Sequence, residues 1–186
     1  MSLISFFANT CLEYLLKEDL KVSGQHQEPP KNNLTPPWAS DPEIFGTLCS
    51  SCGECVTSCE KNLIIITEDR LPVMDFSNDF CNFCGDCARS CPTDALKYNK
   101  EVPPWHIFVS INDNCLMRKK VLCQICQEQC DQEAIVFFQA GQNAQSPEIL
   151  NDQCNGCGAC FSRCPTDAVS FQQIDKRQSE TVQRGD

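Results

Sequence analysis

Seventeen cysteines in 186 residues, sixteen of them in four tight groups, constrain this chain more than any other feature. The spacing C-x2-C-x2-C-x3-C occurs at 49–59, 81–91 and 154–164, and a fourth group at 115–130 differs only in leaving seven residues between its first two cysteines. Cys81, Cys84, Cys87 and Cys91 recur 73 residues later as Cys154, Cys157, Cys160 and Cys164, and the match continues from Cys91 to Ala95 against Cys164 to Ala168. Cys52, Cys55 and Cys59 recur at an offset of 71 as Cys123, Cys126 and Cys130. Pro-Pro-Trp opens both halves, ending in Trp38 and Trp105. The chain is a tandem duplication with two cysteine motifs in each half. Its irregularity is five residues inserted between Leu116 and Leu122, where Arg118, Lys119 and Lys120 predict an exposed basic loop.

Hydrophobic residues reach 41% only with the cysteines counted. Large aliphatic side chains are sparse, so small units built from this sequence need disulfides or metal to hold them. The first residues carry Glu13, Glu18 and Asp19 in place of a basic leader, and no Arg-Arg pair occurs. With no signal of either kind the chain is expected to be cytoplasmic. Its longest apolar run, Ala134 to Phe138, is far short of a membrane span. Disulfides are disfavoured in that compartment, so the cysteines point to metal. A net charge of −10 argues against nucleic acid as a partner. It suits redox partner proteins with basic patches.

The spacing selects the metal group. Three thiolates at three-residue intervals let a curled loop wrap one cubane, and the fourth, at the start of a helical turn, faces a neighbouring one. In two-cluster ferredoxins that fourth cysteine ligates the other cluster and a proline commonly follows it. Pro92 and Pro165 stand at that place, with Glu60 and Asp131 in the odd motifs. The expected ligand sets are therefore crossed. Cys49, Cys52 and Cys55 join Cys91; Cys81, Cys84 and Cys87 join Cys59; Cys115, Cys123 and Cys126 join Cys164; Cys154, Cys157 and Cys160 join Cys130. Structural zinc sites, by contrast, use two separated ligand pairs. The expectation is four [4Fe-4S] clusters, with cluster binding and folding a single event. Gly53, Gly85 and Gly158 follow the second cysteine of their motifs and allow backbone N–H groups to face sulfur. Gln124 stands there in the third motif, whose loop should differ.

Short β-prone runs flank the motifs at 63–66, 73–76, 95–98, 134–138, 148–150 and 168–171. They predict an α+β sandwich in each half, over residues 36–100 and 101–175. Residues 1–35 read as an amphipathic helix carrying Cys11, with a polar linker. Residues 176–186 read as a disordered tail. Trp38 and Trp105 are expected as lids on the cluster sandwich, and Asp94 and Asp167 as caps of the turn after each proline. His26 and His106 have no sequence neighbours that suggest ligation. No nucleophile–base pair, phosphate loop or dinucleotide fingerprint occurs, so the chain is expected to carry electrons rather than to catalyse.

The order of three regular motifs with one C-x7-C variant in third place, the Pro36-Pro37-Trp38 ahead of the first, and the run from Cys154 to Cys160 resemble the NapF family. The resemblance covers about residues 36–171. It implies a tandem pair of two-cluster bacterial ferredoxin-like units in the cytoplasm. It also implies an accessory role toward the cytoplasmic precursor of the periplasmic nitrate reductase catalytic subunit. The other reading is a general polyferredoxin or the relay subunit of a larger oxidoreductase.

Overall fold

A computed structural model of the protein describes residues 34–140 and 144–174. The expected N-terminal helix with Cys11, most of the linker including His26, and the C-terminal tail lie outside these residues. The first half runs through α1 (Pro42–Leu48), α2 (Glu54–Thr57), β1 (Ile64–Ile66), β2 (Pro72–Met74) and α3 (Asp86–Arg89). The second runs through β3 (Ile107–Ile111), α4 (Ile125–Glu128), β4 (Ile135–Ala140), β5 (Ala144–Ile149), α5 (Ala159–Ser162) and β6 (Val169–Gln173).

Between its two cysteine motifs each half places an antiparallel hairpin. β1 pairs with β2 in the register Ile64 to Met74, and β4 pairs with β5 in the register Ile135 to Ile149. Runs such as Ile64–Ile66 suit a pleated ribbon because their branched side chains are stiff and pack along it. Both hairpins are two-stranded, so Pro72 and Pro147 sit in strands without breaking an inner ladder.

A second pair closes each half by joining its beginning to its end. In the second half β3 lies antiparallel to β6, with Val109 opposite Phe171. β3 was not foreseen from sequence, although Val109 and Ile111 are buried and Ser110 between them is exposed. In the first half the same closure shrinks to one bridge, Ala39 to Leu96, and the expected strand at 95–98 does not form. The cause is local. Asp41 accepts a hydrogen bond from the Glu43 N–H, and Pro42 takes the first helical position, so the chain leaves the sheet for α1.

The short helices correct a detail of the expected motif. Each contains the third cysteine of its group, Cys55, Cys87, Cys126 or Cys160. The fourth cysteine follows the residue that caps the helix, where a start of helix was expected. Asp94 does not cap its turn. Thr93 Oγ1 accepts from the Ala95 N–H at 3.3 Å instead, and Asp94 pairs with Lys97 at the surface.

One hydrophobic cluster runs through both halves. Leu34, Trp38, Phe45, Leu63, Met74 and Phe76 share it with Trp105, Val109, Val169 and Phe171. The chain ahead of the first motif is part of it from Leu34 onward, whose carbonyl accepts from the Met74 N–H at 2.8 Å.

Candidate metal centres

Three cavities in the structure are each bordered by one of the four expected cysteine sets. Cys49, Cys52, Cys55 and Cys91 border a cavity beneath Phe45 and Leu96. Cys59, Cys81, Cys84 and Cys87 border one beside Trp38, Leu63 and Met74. Cys130, Cys154, Cys157 and Cys160 border one beside Ile135 and Phe171. In the third motif, Cys115, Cys123 and Cys164 are the charges that bear most on Cys126. Each set thus draws three sulfurs from one motif and one from the other motif of its half.

Burial and the charge of neighbouring cysteines raise the thiols of Cys55, Cys81, Cys87, Cys126 and Cys160. Burial, then the neighbouring Cys49, raises the Cys55 thiol to about 11. Burial pushes Cys81 to about 11, and burial with the charges of Cys81 and Cys59 pushes Cys87 to about 12. Cys126 rises to about 12 by burial and the charge of Cys115. Cys160 is raised further still, again chiefly by burial. Buried thiols gathered this closely are costly to ionise. A cationic iron core among them removes that cost, since it takes thiolates as ligands.

The backbone supplies part of the compensation. The Leu63 N–H donates to Cys59 Sγ at 3.4 Å, and the Ala134 N–H donates to Cys130 Sγ at 3.4 Å. Phe83 and Ala168 donate in the same way to Cys81 and Cys164. Gly53, Gly85 and Gly158 have φ of 79°, 81° and 90°, as the turn into each short helix requires. Gln124 has φ −128°, so the third loop takes a different route, as its sequence implies. There the five-residue insert folds into a compact turn. Leu116 and Met117 are buried, and Met117 Sδ accepts from the Cys123 N–H at 3.1 Å. Arg118, Lys119 and Lys120 face solvent, with Arg118 bound to Asp113 at 2.9 Å.

The donor sets fit the cubane group, since each offers four sulfurs. Among the described residues no three histidine, cysteine or carboxylate groups converge as they would around a single metal ion. The sulfurs stand apart around a hole, as a polynuclear core needs. Trp38, which borders the second cavity, has a buried indole N–H with no hydrogen-bond partner among the described residues. A sulfur-rich group in that cavity offers a nearby acceptor. Sequence reasoning treated Trp38 and Trp105 alike, but Trp105 does another job. Its N–H donates to the Asn155 carbonyl at 2.8 Å, and its ring meets Phe76 and Phe83 edge-on.

The 4Fe-4S dicluster domain family matches the chain twice, over residues 27–96 and 121–168. Each domain of this kind binds two clusters, so the protein carries four [4Fe-4S] clusters. The chain is 34% identical over 143 residues to the ferredoxin-type protein NapF of Escherichia coli, covering 77% of this chain and 87% of that one. It is 37% identical over 146 residues to NapF of Haemophilus influenzae, covering 78% and 82%. An uncharacterized protein of Haemophilus influenzae is 32% identical over 145 residues, covering 76% and 80%. No helix among the described residues is long and apolar enough to cross a membrane.

Proposed function

Because the chain belongs to the family of ferredoxin-type NapF proteins, we propose that it is an electron carrier acting in the cytoplasm as an accessory factor in maturation of the periplasmic nitrate reductase catalytic subunit. The observation that carries the electron-transfer part is the gathering of cysteines into crossed sets of four around separate apolar cavities. The ligands of this reading are Cys49, Cys52, Cys55 and Cys91; Cys59, Cys81, Cys84 and Cys87; Cys115, Cys123, Cys126 and Cys164; and Cys130, Cys154, Cys157 and Cys160. When bound, each [4Fe-4S] group supplies reversible one-electron chemistry.

The protein's own residues prepare that chemistry. The crossed cysteines tie the two loops of a half together where a larger protein would use core side chains. Phe45, Leu63 and Ile135 keep water from the cavities, and the N–H groups of Leu63, Phe83, Ala134 and Ala168 oppose the negative charge of the sulfurs.

The family resemblance supports the partner, the cytoplasmic precursor of the nitrate reductase catalytic subunit. The test is a pull-down with anaerobically prepared, cluster-loaded protein against that precursor with its leader attached and against the mature subunit. Selective retention of the precursor is expected. Equal or no retention, with fast reversible reduction intact, would move the assignment to a general electron relay.

A further inference from the structure

The order of the motifs along the chain does not fix the order of the four cysteine sets in space. From the way the cysteine loops abut, we infer that the sites lie in a line with the sets of the second and fourth motifs in the middle and those of the first and third at the ends. The inference rests on the ligand sets proposed above.

Within the first half, α2 and α3 pack side by side. Ser58 and Ser90, which cap them, meet hydroxyl to hydroxyl at 3.0 Å, and Ser90 Oγ reaches the Glu54 carbonyl at 3.3 Å. The first and second sets are thus neighbours. The mirrored packing of α4 on α5 joins the third and fourth sets.

The joint between halves decides the order. The Cys81 N–H donates to the Cys157 carbonyl at 2.7 Å, a direct bond between the second and fourth cysteine loops. Around it the two loops interlock. Phe76 lies against the place where a side chain on Gly158 would stand, and Phe83 meets Trp105 at 5.7 Å. Trp105 in turn holds Asn155, beside Cys154, through its indole N–H. Cys157 is also among the charges felt by Cys81, whereas the neighbour felt by Cys160 outside its own set is Cys126 of the third motif. The duplication is therefore joined back to back through its second motifs. An electron crossing from one half to the other passes between the set of Cys59, Cys81, Cys84 and Cys87 and the set of Cys130, Cys154, Cys157 and Cys160.

The test removes one site at a time from the full-length holoprotein and reads magnetic coupling by low-temperature EPR after complete reduction. Cys84→Ala with Cys87→Ala, or Cys157→Ala with Cys160→Ala, empties a middle site. Cys52→Ala with Cys55→Ala, or Cys123→Ala with Cys126→Ala, empties an end site. Each variant is expected to hold about twelve irons in place of about sixteen. A middle-site variant should show one magnetically isolated cluster beside a coupled pair, and an end-site variant no isolated cluster. An isolated signal in an end-site variant, at about twelve irons, would overturn the order and leave the ligand sets standing. Iron that fails to fall by one cluster would overturn the ligand sets and the order together.

Where an alanine pair prevents folding, Cys84→Ser or Cys157→Ser gives the same reading at full iron content. An alkoxide ligand lowers a cluster's potential, so the spectrum is read where the serine-ligated cluster is still oxidised and diamagnetic and the others are reduced. Stepwise reduction should then uncover the same isolated signal, and its absence counts against the order.

Discussion

Trp38 and Trp105 occupy matching places in the two halves, yet their indole N–H groups end differently. That of Trp105 is bound to the Asn155 carbonyl, and that of Trp38 is buried without a hydrogen-bond partner among the described residues. A buried unpaired N–H costs about 1–3 kcal/mol, so it is retained where something outside the polypeptide accepts it. Trp38→Phe is therefore expected to leave the fold in place and to lower the potential of one cluster. Trp105→Phe should leave all four potentials unchanged while loosening the protein by about 1 kcal/mol. An EPR-monitored redox titration reads the first effect and the rate of cluster loss in chelator reads the second. The thiols give a prediction of opposite character. Their pKa values are raised to about 11 for Cys55 and Cys81 and about 12 for Cys87 and Cys126, chiefly by burial. A raised value means that protons compete with iron more strongly as pH falls, and that loading the apoprotein near neutral pH releases close to one proton per thiol. Clusters should be lost faster at pH 5.5 than at pH 8, measured by bleaching of their visible absorption with a chelator present. A rate independent of pH over that range would show that deprotonation does not control binding.

At the scale of elements, the cysteine loops were the most legible part of the chain, and the strands less so. The turns into α2, α3 and α5 use a left-handed residue, which is why glycine after the second cysteine is informative and why Gln124, with φ −128°, marks a different path into α4. β3 lies apart from the cysteine motifs that flank the expected runs, although Pro103-Pro104 before it and Asn112-Asp113-Asn114 after it bracket the alternation of Val109, Ser110 and Ile111. The strand expected at 95–98 failed because its partner segment is drawn into α1 by Asp41 and Pro42, a competition that a run of four residues does not reveal. The glycine loops also differ among themselves. A side chain on Gly53 would meet nothing within 4 Å, whereas one on Gly158 would run into the Phe76 ring. Gly53→Ala meets no protein atom, and from the polypeptide it should cost the left-handed backbone, about 1–2 kcal/mol. Gly158→Ala pays the same and must also displace Phe76 at the joint between halves. Iron content after gel filtration should therefore stay near that of the parent for Gly53→Ala and fall for Gly158→Ala.

The whole molecule was legible as a duplication but not as a joint. A constant offset between repeats says that two copies exist; it carries no information on how one copy meets the other. The residues that make the joint, Phe76, Phe83, Trp105, Asn155 and Gly158, lie in loops with no periodic pattern. Phe76 is the test of how tightly the halves depend on each other. By sequence it belongs to the first half, and in space it lies 5.3 Å from Phe171 and 6.1 Å from Trp105, ring centre to ring centre, in the second. It is 4% exposed. Truncating a buried phenylalanine to alanine typically costs about 3–5 kcal/mol. Here the loss falls on both halves, because the cavity opens between the loops of the second and fourth motifs. Loss of iron from such a protein is irreversible, so the effect is read as a rate rather than an equilibrium. In Phe76→Ala, clusters of both halves should bleach together in a single faster phase when chelator is added. Phe45 is also buried but lines only the cavity of Cys49, Cys52, Cys55 and Cys91. Phe45→Ala should accordingly give two phases, an early loss from the first half and a later one from the rest. Two phases in Phe76→Ala as well would mean that the halves hold their clusters independently and that the joint conveys no stability between them.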